Sequence, residues 1–154
     1  MFRLILFEPE IPPNTGNIIR LCANTGTALH LVGPLGFELD DRKLRRAGLD
    51  YREFADVSVH ENLPACITAL GSTRILACST RGGTLYSDHR FESGDTLLLG
   101  PETRGLPQSV LDDVPPDQIL RIPMQSDSRS LNLSNAAAVI LYEALRQIEF
   151  GELR

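Results

Sequence analysis

The 154 residues predict an α/β fold, a mostly parallel sheet with helices on both faces. Short apolar runs at residues 2–7, 28–32, 74–79 and 96–100 show little alternation, as strands covered on both faces do. Strand-like and helix-like patterns alternate from end to end, which is the signature of βα units. The length fits one domain spanning 1–154, large enough to bury about two-thirds of its unfolded surface without a metal or disulfide staple.

Taken in order, residues 2–7 form the first strand and Pro-rich residues 8–16 break it. From about Thr15 the period becomes helical. Ile18, Leu21, Cys22 and Thr25 share one face, while Asn17, Arg20 and Asn24 share another. Gly26 suits a C-cap, and residues 28–32 make the next strand. Asp40 or Asp41 can cap a basic helix that Gly48 stops. A short strand at 56–60 precedes a helix at 63–70, with Asn62 as cap and Pro64 in its first turn. Strands follow at 74–79 and 96–100, with residues 80–94 irregular between them. A short helix at 107–114, a strand at 118–122 and a long Ala-rich helix complete the chain. In that helix Ala136, Ala137, Ile140, Leu141, Ala144, Leu145 and Ile148 form one broad stripe.

A net charge of −5 argues against a generic nucleic-acid binder. Nearly all the positive charge is arginine, however, and Arg42, Lys43, Arg45 and Arg46 concentrate it. That run reads either as a solvated helix face or as a phosphate-binding patch. Lys43 is the only lysine and has no glycine frame, which excludes a Schiff-base enzyme or a P-loop built elsewhere. Cys22, Cys66 and Cys78 lie far apart in apolar runs, so no zinc spacing exists and they read as buried thiols of a reducing compartment. His30, His60 and His89 are scattered singly and read as structural. With neither a signal segment nor an apolar run of about 18 residues, the expected location is cytoplasmic, with no membrane partner and no metal.

Gly100 and Gly105 have phosphate-loop spacing but are followed by Leu-Pro, and GxGxxG is absent after the first strand, so nucleotide-phosphate readings fail. Three polar loops near strand ends remain: IPPNTGNIIR, GPETRGLP and IPMQSDSRSLNLSNA. Each has a plain explanation alone. Asn17 and Asn132 suit helix caps, and Glu102 with Arg104 suits a surface ion pair.

Together, in order and spacing, the three segments resemble the three motifs of the SPOUT superfamily of knotted methyltransferases. Within it they are most similar to the tRNA 2′-O-methyltransferases of the wobble cytidine or uridine. The similarity runs along essentially the whole chain and includes RRAGLDY at 45–51. It implies S-adenosylmethionine as donor, a C-terminal trefoil knot, and a homodimer with the site shared between subunits. It also implies cofactor contacts at Cys78, Gly100, Ile122, Met124, Ser130 and Leu131, with Cys78 as a wall. In the family the first-motif arginine, here Arg20, activates the ribose hydroxyl. A guanidinium with a pKa above about 12 is a poor proton acceptor, so Arg20 would act by holding the developing alkoxide. Asn17, Glu102, Ser130 and Asn132 would position Arg20, the ribose or the donor. No added RNA-binding domain is expected, so the core would bind the tRNA anticodon region itself through Arg42, Lys43, Arg45 and Arg46, with Tyr142 at the dimer contact. Two other readings stay open: a sister enzyme modifying another RNA position or a base, and a non-catalytic RNA- or cofactor-binding module.

Overall fold

The computed structural model describes residues 1–39, 56–151 and 153. The expected basic helix, with Asp40 or Asp41 and Gly48 at its ends, lies outside them. The described residues form a seven-stranded sheet: β1 (Arg3–Phe7), β2 (Ala28–Val32), β3 (Val57–His60), β4 (Ile75–Cys78), β5 (Thr84–Leu85), β6 (Thr96–Leu99) and β7 (Ile119–Arg121). Their order is β3-β2-β1-β6-β4-β7-β5, and every pairing is parallel.

Among the described residues the α-helices are α1 (Pro12–Thr25), α2 (Leu63–Leu70), α3 (Gln108–Asp112) and α4 (Leu133–Gln147). They cover both faces, as expected of a buried parallel sheet. Period-2 alternation divides the core in two. Leu4, Leu6, Leu29, Leu31, Leu97 and Leu99 face α1 and α4, meeting Ile18, Ile19, Ala137, Ile140 and Leu141. Ile5, Phe7, Val32, Ala77 and Leu98 face the other way, toward Cys66 of α2 and Leu111 of α3. No helix among the described residues is long and apolar enough to cross a membrane.

Two differences from the sequence expectation have local causes. Helix α1 starts at Pro12, not near Thr15, because proline fits a first turn whose N–H groups need no intrahelical acceptor. Gly26 caps it as expected, in the left-handed region at φ 61°, with its N–H on the Cys22 carbonyl. The irregular stretch at 80–94 contains the short edge strand β5, whose two residues pair with Leu120 and Arg121 of β7. Further along, Gln147 of α4 accepts from Phe91 N at 2.9 Å and donates to the His89 carbonyl at 2.9 Å. The last helix is thereby tied to this stretch.

Candidate active site

The carboxyl ends of β4, β6 and β7 open into a cavity of about 270 Å³, where open α/β sheets place their ligands. Cys78 ends β4, Gly100 follows β6, and Ile122 and Met124 follow β7. Ser130 and Leu131 arrive on the loop before α4. All six expected cofactor contacts therefore line one cavity, with Leu99, Leu120, Leu133, Ala136 and Ile140 supplying apolar wall. Burial pushes the Cys78 thiol up to about 12, which suits a wall and disfavours a nucleophile. At Gly100 a Cβ would stand 2.3 Å from Leu106 N and 2.6 Å from Gly105 C, so the 101–106 loop folds back directly onto the glycine backbone.

That loop is held on three sides. The Glu102 carboxylate accepts from Glu10 N at 2.8 Å, Ile11 N at 3.0 Å and Asn14 Nδ2 at 3.3 Å. It satisfies amides at the start of α1, where the N-cap residue Ile11 has no side-chain acceptor. Thr103 donates to Glu10 from both its amide, at 3.1 Å, and its hydroxyl, at 2.8 Å. These bonds hold the Glu10 carboxyl below its ordinary range. Arg104 pairs with Glu8 while Glu102 accepts from the start of α1, so the Glu102–Arg104 surface pair suggested by sequence does not form. Glu8 itself lies at φ 47°, a left-handed turn uncommon for a residue with a side chain, and it swings the chain off β1 toward this loop. On the far side Arg81 donates to the Leu106 carbonyl and, at 2.9 Å, to Gln108 Oε1.

Glu102→Gln keeps the size of the side chain but removes one acceptor oxygen. The expected cost is about 1–2 kcal/mol, from an amide at the start of α1 left without its partner. At this chain length each kcal/mol lowers the melting temperature by about 2–4 °C. A thermal melt within 1 °C or so of the parent would show that Glu102 does not hold the helix start.

Asn132 caps α4, with Oδ1 accepting from Ser134 N at 2.9 Å and Asn135 N at 3.3 Å. Its Nδ2 donates to Asn14 Oδ1 at 2.9 Å. A chain Asn132–Asn14–Glu102 thus joins the starts of two helices to the cavity loop. Glu102 lines the cavity, whereas Asn132, Asn17 and Arg20 do not. Asn17 and Arg20 are exposed on the same face of α1. Sequence reasoning missed Asn14, which is buried and joins Glu102 to Asn132. It also missed Arg81. The only signal for Asn14 was its place directly after two prolines, in the first turn of a helix. Tyr142 is 48% exposed and Val139 38% on the outer side of α4. Arg42, Lys43, Arg45 and Arg46 lie outside the described residues.

The family model for the SpoU rRNA Methylase family matches residues 1–142. The chain belongs to this family. A "tRNA (cytidine(34)-2'-O)-methyltransferase" of Methylovorus glucosotrophus is 58% identical over 151 residues, covering 98% of each chain. A solved structure concerned with "the 2-OH methylation of C/U34 on tRNA" superposes with a TM-score of 0.89 at 47% identity, covering 97% of each chain. An AdoMet-bound rRNA methyltransferase from Sinorhizobium meliloti superposes at 0.82 with 26% identity, over 96% of this chain and 56% of that one. The sequence expectation of a SPOUT-type methyltransferase agrees with all three.

Proposed function

We propose that this protein transfers a methyl group from S-adenosylmethionine to the ribose 2′-hydroxyl of the wobble nucleotide, cytidine or uridine 34, in tRNA. The observation that carries the reading is convergence. Residues from three strand ends and the loop before α4 line one cavity, and its loop is locked to the start of α1. The similarity of full-length relatives that modify position 34 of tRNA supports the substrate.

The cavity suits the donor. S-adenosylmethionine carries no phosphate, so it needs no glycine-lysine cradle, and adenine fits a mostly apolar slot edged by backbone groups. Cys78, Gly100, Ile122, Met124, Ser130 and Leu131 would hold it. When bound, it supplies an electrophilic methyl group for the ribose oxygen. The residues of this chain fix the geometry and favour the oxyanion. The network of Glu102, Asn14 and Asn132 sets the position of α1, and α1 carries Arg20 with Asn17 beside it. The Arg20 guanidinium stabilises negative charge on the 2′-oxygen, and a substrate phosphate or water takes the proton. Arg20 does not line the cavity of its own chain, which favours a homodimer in which it reaches the partner's site. The exposed Val139 and Tyr142 stripe of α4 supplies the contact.

Residues 1–154 act as one methyltransferase domain in the cytoplasm. Its C-terminal segment forms a trefoil knot. That reading draws on β7 inserting between β4 and β5 and on Gln147 being held by the backbone at His89 and Phe91.

Incubating bulk tRNA with protein and methyl-labelled donor, then mapping the label, tests the proposal directly. Label on the ribose of nucleotide 34 is expected. Label at another nucleotide or on a base would replace the substrate assignment, and no label would leave only binding. The anticodon region is expected to meet Arg42, Lys43, Arg45 and Arg46. Neutralising all four should weaken tRNA binding and reduce its log-log salt slope by about 3. An unchanged slope would make the patch a solvated face.

A further inference from the structure

On the flank of the sheet away from the cavity, three side chains meet that methyl transfer does not use. His30 lies on β2, His60 ends β3, and Cys66 lies in α2. Leu29 and Leu31 face α1 and α4, so His30 between them faces α2, as Val32 does. Strand register sets Val32 beside His60 and His30 beside Ser58, which makes the two imidazoles diagonal neighbours on that face. His30 Nδ1 and His60 Nε2 stand 3.0 Å apart. One ring nitrogen of each histidine and Cys66 Sγ all lie within 4.8 Å of one another.

We propose that His30 Nδ1, His60 Nε2 and Cys66 Sγ form a zinc site, with a fourth position left for water or another ligand. Two imidazoles and a thiolate are a borderline-to-soft donor set that suits zinc, whereas magnesium and calcium require oxygen ligands. In a tetrahedral zinc centre with Zn–N near 2.0–2.1 Å and Zn–S near 2.3 Å, nitrogen donors stand roughly 3.3 Å apart and nitrogen and sulfur roughly 3.6 Å. The two nitrogens are already close to that spacing, and an edge at the 4.8 Å limit needs to contract by roughly 1.2 Å.

Access and anchorage are also provided. His30 and His60 are half-buried beside the sheet edge, which β3 forms, while Cys66 is fully buried. Burial pushes the Cys66 thiol up to about 11, so the metal must displace its proton to solvent as the Zn–S bond forms. Without an ion, one facing imidazole nitrogen must donate to the other. With it, both present lone pairs and the proton moves to the other ring nitrogen. After His60, Arg3 is the charge that bears on His30. It opposes a cation, and the thiolate offsets one unit of the added charge. Donors 6 and 30 residues apart match no zinc-finger spacing, which is why the sequence pattern excluded a metal.

The test is a cobalt titration of the full chain after dialysis against a chelator. One equivalent is expected to produce thiolate-to-cobalt charge-transfer absorption and the intense visible bands of tetrahedral cobalt, both removed by added zinc. Cys66→Ser and His60→Ala should each weaken binding at least tenfold, while Cys22→Ser should not. Circular dichroism and S-adenosylmethionine binding report whether the variants fold. A parent protein without the charge-transfer band overturns the site, as does a band of unchanged affinity in Cys66→Ser. Should Cys66→Ser fail to fold, His60→Ala on the edge strand decides: binding as tight as the parent's overturns the site.

Discussion

Replacing Arg20 with alanine is expected to lower the rate of methyl transfer about a hundred- to a thousandfold while S-adenosylmethionine binds almost as before. Losing one preorganised donor to a developing oxyanion costs a factor of that order, equivalent to about 3–4 kcal/mol of barrier. The cofactor should be indifferent, because Arg20 is exposed on α1 and lines no part of the cavity. Single-turnover methylation of tRNA alongside equilibrium binding of the donor separates the two effects. Parental turnover would remove Arg20 from the reaction. Loss of donor affinity comparable to the loss of rate would make it a structural residue.

The second large effect is expected at Gly100. A Cβ there would meet Leu106 N at 2.3 Å, Gly105 C at 2.6 Å and Leu106 Cα at 3.0 Å. All three are backbone atoms, so no rotamer change can relieve the overlap. The 101–106 loop must move as a unit, against Arg81 on one side and Glu10 on the other. Gly100→Ala should therefore weaken donor binding at least tenfold and cost about 1–3 kcal/mol of stability. Gly83, where an added Cβ meets nothing within 4 Å, is the matched control. If Gly100→Ala binds donor as the control does, the cofactor does not occupy this cavity wall.

The two impaired chains also test one another at a donor concentration too low to load the Gly100→Ala cavity. In a shared-site dimer, an Arg20→Ala chain retains a sound cavity that the Arg20 of a Gly100→Ala partner can complete. Random mixing should restore roughly a quarter of parental sites, since half of the dimers are mixed and each has one complete site. Arg20 acting within its own chain predicts no recovery.

The strands were readable because buried parallel strands advertise themselves as unbroken apolar runs, and 96–100 is the plainest case. The six residues expected to touch a cofactor were legible only through the resemblance of three motifs to a known family, and all six line the cavity. What escaped notice depends on partners distant in sequence. Asn17 shares a helical face with Arg20, and its site role was implied by the family resemblance. The position that hydrogen-bonds into the network is Asn14, and it is chosen by Glu102 and Asn132, some 90 and 120 residues away. The edge strand β5 is too short for any period to register. Its course is set by β7, onto which Gly82 fits so closely that a Cβ would lie 2.6 Å from the Ile119 carbonyl oxygen. The histidines looked solitary because the register of two parallel strands decides whether they meet.

The Glu102 bridge also constrains the order in which the molecule can be assembled. The amides it satisfies belong to residues 10 and 11, yet the carboxylate itself emerges from the ribosome about 90 residues later. At about 5–20 residues per second, the first helix waits several seconds for its acceptor. During that interval β1 can pair only with β2, and the flank that will receive β6 stands open. Contacts of such long sequence separation slow folding. A nascent chain arrested before residue 102 should therefore protect the amides of β2 from hydrogen exchange more than those at the start of α1, and a chain released after it should protect both.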